Sequence, residues 1–93
     1  MFEILTFRLG PGVDVETFRE IDQRMQVDFA YQQPGLRRRT LGRHDDGRWL
    51  VLTIWADSES AMSAQRAFDE SDVAAEFIGV VTDVVVERFH GAD

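Results

Sequence analysis

The segment Trp49–Trp55 reads as a β-strand that is apolar on both of its faces, and this feature constrains the fold most. Successive side chains of a strand point to opposite sides of a sheet. Alternate positions therefore divide the segment into two apolar sets, Trp49, Val51 and Trp55 against Leu50, Leu52 and Ile54. A sheet with one face in water alternates polar and apolar residues. Both faces of this strand therefore need cover.

The rest of the chain predicts three more strands and three helices, separated by turn residues such as Gly10-Pro11-Gly12 and Pro34-Gly35. Apolar residues at helical spacing indicate the helices, and β-branched or alternating residues indicate the strands. In chain order we expect a strand over Met1–Leu9, a helix over Val15–Gln32, strands over Leu36–Arg43 and Trp49–Trp55, a helix from Asp57 or Ser58, a short helix capped by Ser71, and a strand over Val81–His90. Residues 1–93 are expected to form a single domain with a loose tail at Gly91–Asp93.

The predicted order, βαββααβ, is that of a ferredoxin-like α+β fold, in which an antiparallel sheet carries all helices on one face. The opposite face is then bare. Strand Met1–Leu9 and the run Val84–Val86 are also apolar on two sides, and a monomer would expose a large apolar patch. We therefore expect two sheets to pack face to face as a homodimer, a dimeric α+β barrel. Cover by a different protein is the alternative.

Composition excludes several classes of function. With 17 acidic and 10 basic residues the net charge is −7, which disfavours nucleic-acid binding. No apolar run reaches the ~18 residues that would cross a membrane. The chain has no Cys, and its two His residues lack metal-ligand spacing, so we expect no metal site. The N-terminus lacks the pattern of a signal peptide, so a cytoplasmic location is expected.

Four segments, by their order and spacing, carry a resemblance to a known family. They are Phe7–Leu9 with Pro11-Gly12, Gln33–Leu36, Val51–Trp55 and Ser71–Val73. Together they resemble the antibiotic-biosynthesis-monooxygenase-like family of small dimeric α+β barrel proteins, over essentially the whole chain. The resemblance implies oxidation of a small aromatic substrate by O₂ without metal, flavin or other cofactor.

The resemblance also bears on individual residues. The anthrone-type oxygenases of the family use Asn, Trp, Tyr and Arg; this chain has Trp55, Tyr31 and Arg66 but no Asn. The heme-degrading branch uses an Asn, a Trp and a His ligand. Their places are taken here by Phe7 or Thr6, by Phe68 and by Ile78. No heme partner is therefore expected.

Four residues are candidates for catalysis on their chemistry. Trp55 could stack on a substrate and donate from its indole N–H, Tyr31 could act as an acid or donor, and Arg66 could bind an oxyanion. His44, beside two carboxylates in the hairpin loop, could serve as a base. Each also has a structural interpretation: Trp55 as a packing anchor, Tyr31 as half-buried, Arg66 and His44 as solvated.

Five apolar residues at helical spacing are candidates for the wall of a substrate cavity, although the same spacing serves an ordinary core. They are Phe18, Met25, Met62, Phe68 and Phe77. The run Arg37–Arg39 lies on a strand expected at the sheet edge, where charges discourage unwanted pairing; anion binding is the alternative.

The sequence thus favours a cofactor-independent monooxygenase acting on a quinol-type or polycyclic aromatic compound. A non-catalytic module that binds an apolar ligand or assembles, and an isomerase-like enzyme, share the fold and stay open. A cavity of roughly 300 Å³ or more that includes Trp55 and one of Tyr31, Arg66 or His44 would favour binding or catalysis.

Overall fold

A computed structural model describes residues 1–92 and contains the predicted elements in the predicted order. The strands are β1 (Phe2–Leu9), β2 (Leu36–Arg43), β3 (Trp49–Trp55) and β4 (Val81–Phe89), and the helices are α1 (Val15–Arg24), α2 (Ser58–Asp69) and α3 (Asp72–Ile78). Of the predicted tail Gly91–Asp93, residue 93 lies outside the described residues, and Gly91 and Ala92 belong to no helix or strand.

The four strands form one antiparallel sheet in the order β2-β3-β1-β4. This confirms the ferredoxin-like α+β fold and places β2 at an edge, as expected. Every second residue of β3, from Trp49 to Trp55, is buried, and the residues between them are half-buried. The helices therefore cover one face of the sheet.

Each helix begins at a polar residue whose side chain accepts a hydrogen bond from the first turn. The Asp14 carboxylate accepts from the Thr17 amide at 2.7 Å, and the Asp57 carboxylate accepts from the Ser60 amide at 2.8 Å. The Ser71 hydroxyl accepts from the Ala74 amide at 3.2 Å. These caps fix where the helices start and thus how they lie on the sheet.

The predicted helix Val15–Gln32 is not one regular helix. After α1 the chain makes a π-helical turn over Met25–Phe29, in which the Ala30 amide donates to the Met25 carbonyl, and then a 3₁₀ turn over Ala30–Gln32. Its buried residues Ile21, Met25 and Phe29 recur every four positions, slightly more than one 3.6-residue turn. The wider π turn offsets this drift and keeps Met25 and Phe29 directed toward the sheet.

The core lies between the sheet and the helices and is centred on aromatic rings. Phe7, Phe18 and Phe77 are almost completely buried. The Phe18 ring lies 4.9 Å from that of Trp49 and 5.7 Å from that of Phe7, measured between centroids, and Phe7 meets Phe77 edge-on at 5.5 Å. Tilted and edge-on contacts at these distances are favourable, so this cluster holds α1 and α3 to β1 and β3.

The other face of the sheet carries no helix and is mainly apolar, although Thr6 of β1 and Glu87 of β4 also lie on it. The strand register gathers on it a set of apolar residues, Phe2 and Ile4 of β1, Leu50, Leu52 and Ile54 of β3, and Val85 and Phe89 of β4. We call this set the open face. Val85 is 52 % exposed and Phe89 45 % exposed. The apolar second face predicted from β3 is therefore present.

Candidate active site

A cavity of about 260 Å³ lies between the helix-facing side of the sheet and the helices. All four strands contribute to its floor. The π-helical turn, α2 and α3 form its roof. Its walls are mainly apolar, with Leu5, Met25, Phe29, Leu36, Val51, Phe68, Val84 and Val86 among the lining residues. An apolar cavity with a few polar groups is the usual form of a small-molecule site.

Three of the five predicted wall residues line this cavity: Met25, Phe68 and Phe77. Phe18 does not, because its ring is enclosed in the core between Trp49, Phe7 and Phe77. Met62 lies on the outer side of α2 and is 61 % exposed. The inner side of α2 instead presents small residues, Ala61 and Ala64, to the cavity.

Trp55 is the predicted catalytic residue that lines the cavity. It ends β3, is only 7 % exposed, and packs against Ala61, Ala64 and Leu36. Its indole Nε1 is the one buried side-chain N or O atom without a hydrogen-bond partner within residues 1–92. An unsatisfied buried donor costs about 1–3 kcal/mol. A ligand oxygen that reached this N–H would remove that cost.

The other three predicted catalytic residues do not line the cavity, so the structure does not bring them together with Trp55. The arrangement that the sequence analysis set as favouring binding or catalysis, Trp55 and one of these residues in a cavity of roughly 300 Å³ or more, is therefore not met by the cavity of about 260 Å³. Tyr31 lies in the 3₁₀ turn, is 55 % exposed, and borders a shallow surface depression beside Arg37. Arg66 is exposed on α2. His44 lies in the β2–β3 turn, where its Nδ1 accepts a hydrogen bond from the Asp46 amide at 3.0 Å.

A row of polar residues crosses the cavity floor, and the sequence did not predict it. The register pairs Arg39 of β2 with Thr53 of β3, Thr53 with Glu3 of β1, and Glu3 with Arg88 of β4. We call these four residues the polar row. Arg39, Thr53 and Glu3 line the cavity, and Gln65 of α2 joins them there. On the same face, the next paired positions on both sides of the row are apolar.

Two ion pairs hold the ends of the polar row. The Arg39 Nη2 lies 2.6 Å from Asp22 Oδ1, and these side chains are only 4 % and 9 % exposed. Arg39 Nη1 also donates to Gln26 Oε1 at 3.3 Å. At the other end, Arg88 Nε donates to Glu3 Oε2 at 2.9 Å and Arg88 Nη2 to Gln65 Oε1 at 3.5 Å.

The burial of Arg39 differs from what its sequence position suggested. We expected the charges on edge strand β2 to discourage unwanted pairing, with anion binding as the alternative. Arg39 instead pairs with Asp22 of α1 in the same chain. The sequence feature that could have indicated this pair is Asp22, which lies on the inner side of α1, because a buried carboxylate needs a cation beside it.

Within residues 1–92, no group of three or more His, Asp or Glu side chains is placed to hold a metal ion.

Among the same residues, no helix has both the length and the apolar character needed to cross a lipid bilayer.

Known structures share this architecture, although neither a family profile nor a curated protein matches the sequence. A mutant of SnoaB, a cofactor-independent oxygenase from Streptomyces nogalater, superposes with a TM-score of 0.82 at 20 % identity, over 99 % of this chain and 92 % of that one. The chain has the fold of SnoaB. A second SnoaB structure gives a TM-score of 0.76 at 19 % identity, over 98 % and 93 % of the two chains.

A protein from Mycobacterium tuberculosis has the same fold, with a TM-score of 0.69 at 15 % identity over 99 % of this chain and 97 % of that one. The structural resemblance expected from the sequence is thus confirmed at the level of the fold. Sequence identities this low show a shared fold but not a shared activity, because activity depends on the residues of the site.

Proposed function

We propose that the protein is a cofactor-independent monooxygenase that oxidises a small quinol-type or polycyclic aromatic substrate with O₂ in the cavity beside Trp55. The likeness to SnoaB, itself a cofactor-independent oxygenase, supports the reaction class. The apolar cavity supports the substrate class, because flat aromatic rings gain most from leaving water for such walls.

The observation that carries the proposal is the unpartnered indole N–H of Trp55 in the wall of the cavity. Deprotonation of a quinol-type compound leaves an electron-rich anion that can reduce O₂. A buried donor aimed at the oxygen that gains charge stabilises that anion. When a CH₂ group becomes a carbonyl, the carbon loses two hydrogens, one atom of O₂ enters the product and the other leaves as water, so the substrate supplies all four electrons that O₂ accepts.

Oxygen consumption with anthrone and hydroquinone tests this proposal. Wild type should consume O₂ faster than buffer alone. Trp55→Phe, which keeps the ring but lacks the N–H, should lower kcat by about 100- to 1,000-fold, the usual effect of removing one donor to a developing anion. Met62→Leu, a change on the exposed side of α2, is the matched control. No turnover above buffer with any quinol or anthrone would remove the enzyme proposal.

A second function is favoured by a specific observation. Tyr31, Arg66 and His44 all lie outside the cavity, so one chain offers few groups for proton transfer. A non-catalytic protein of this fold that binds an aromatic ligand would need only the cavity. Saturable ligand binding without O₂ consumption would identify this alternative.

We further propose that the protein works as a homodimer whose two open faces pack together. Exposed Phe2, Val85 and Phe89 flank a half-buried centre formed by Leu52 and Ile54. So many apolar residues on one uncovered sheet face are uncommon on monomers, and the same face on two copies can be self-complementary about a two-fold axis.

A further inference from the structure

The polar row lies among apolar residues on the helix-facing side of the sheet. The register positions beside it on the same face hold Leu41, Val51, Leu5 and Val86 on one side and Leu36 and Trp55 on the other. Polar side chains in such surroundings cost free energy unless they are hydrogen-bonded. A polar group of the row that has no hydrogen-bond partner within the protein is therefore a candidate contact for a ligand.

The protein's own hydrogen bonds use only part of the row. Both Arg39 Nη atoms donate to Asp22 or Gln26. The Glu3 carboxylate, in contrast, accepts from Arg88 through Oε2 only. Within residues 1–92, no hydrogen bond reaches Glu3 Oε1. Glu3 lines the cavity and its side chain is 22 % exposed, so Oε1 is an acceptor available to a ligand.

Glu3 and Trp55 thus line the same cavity at nearby places. Glu3 pairs with Thr53, and Trp55 follows two residues later on the same face of β3. Such diagonal neighbours in a sheet lie roughly 7–8 Å apart. Glu3 Oε1 requires a hydroxyl or N–H of the ligand, and Trp55 Nε1 requires an oxygen.

The volume of the cavity limits the size of the ligand. A dry apolar cavity of about 150 Å³ accommodates one benzene molecule. The present cavity, at about 260 Å³, has room for a larger ring system such as two fused rings.

We propose that Glu3 is a specificity-determining residue that accepts a hydrogen bond from an aromatic hydroxyl group, so that the cavity selects hydroxylated fused-ring ligands over their ethers. Arg88 positions Glu3 by holding Oε2, and Gln65 in turn accepts from Arg88. This inference rests on the proposed aromatic ligand site. It adds the acceptor, the Glu3 carboxylate, by which that site distinguishes hydroxylated ligands from their ethers.

Equilibrium binding of 1-naphthol and 1-methoxynaphthalene, measured by calorimetry without O₂, tests the inference. The two ligands differ in the hydroxyl proton that Glu3 would accept. Wild type should bind 1-naphthol about tenfold or more tightly than the ether, as expected for a hydrogen bond to a charged group. Glu3→Leu should bring the two affinities to within about twofold of each other.

Glu20→Leu, at an exposed position of α1 outside the cavity, is the matched control and should keep the wild-type preference. Equal affinities of wild type for the two ligands would overturn the role of Glu3 while leaving the ligand site intact. A preference that persists in Glu3→Leu would overturn it as well. Failure of wild type to bind either compound would overturn the proposed aromatic site itself, and the inference with it.

Discussion

Removal of one partner of the Arg39–Asp22 ion pair should destabilise the protein severely. Both side chains are at least nine-tenths buried, and the Nη2–Oδ1 distance is 2.6 Å, so solvent screens the pair little. Loss of one member of a buried pair costs about 3–5 kcal/mol, because the remaining charge is left without a partner. Small domains have a total stability of about 5–15 kcal/mol. Asp22→Leu should therefore lower the free energy of unfolding by about 3–5 kcal/mol.

The double variant Asp22→Leu/Arg39→Met separates the pair's attraction from the cost of an isolated charge. Replacement of both charges by apolar side chains of similar size is often neutral or stabilising. We expect urea unfolding, at fixed protein concentration, to give a double variant more stable than Asp22→Leu alone by at least about 2 kcal/mol. A loss of less than about 1 kcal/mol in Asp22→Leu, or additive losses in the double variant, would refute this account of Arg39.

Three further predictions follow from single features of the fold. Gly35 has φ +84°, and a Cβ there would collide with Ser60, whereas Gly12 has φ +78° and open space around it. Thermal unfolding should therefore show that Gly35→Ala lowers the free energy of unfolding clearly more than the ~1 kcal/mol expected of Gly12→Ala. Hydrogen bonds from Ser60 hold the pKa of Asp57 below its ordinary value of 3.8. The ionised Asp57 carboxylate therefore stabilises the fold above pH 3.8, and this stabilisation is lost as the pH falls through the lower pKa of the folded state. Urea midpoints should fall less steeply below about pH 4 in Asp57→Asn, which still caps α2 but does not titrate; an unchanged slope would contradict this. Leu52→Asp on the open face should convert a dimer into a monomer in sedimentation velocity, whereas Val27→Asp, at an exposed position away from the sheet, should not.

Periodicity along the chain was enough to predict the strands and the helix starts, because these depend on local residues. The apolar alternation of β3 and the capping residues Asp14, Asp57 and Ser71 are local signals. The π-helical turn was not predicted, since the same spacing fits an α-helix until packing against the sheet selects between them.

The cavity was harder to predict, because its polar floor joins residues that are distant in sequence. Glu3, Arg39, Thr53 and Arg88 become neighbours only through the strand register, and a slip of one residue would turn a side chain to the opposite face. Trp55 was identified by its chemistry and by its place at the end of β3. Tyr31, Arg66 and His44 were chosen by chemistry alone, which does not determine where a side chain points.

The cavity and the open face are connected through the energetics of a small domain. A chain of this length buries only about 60–65 % of its unfolded surface, and small domains have a total stability of about 5–15 kcal/mol. Further burial at the open face or binding in the cavity can therefore add a large fraction of the total stability.

Dimerisation and ligand binding can both raise the free energy of unfolding, and experiments can tell the two apart. Burial of the open face against a second copy makes stability depend on protein concentration, whereas occupation of the cavity makes it depend on ligand concentration. A ligand present at 100 times its Kd adds about 2.7 kcal/mol, which for a domain of this size raises Tm by roughly 11–22 °C. Thermal shift at constant protein concentration therefore reports on the cavity alone, and aromatic compounds with and without a hydroxyl group can be ranked by it before any turnover is known.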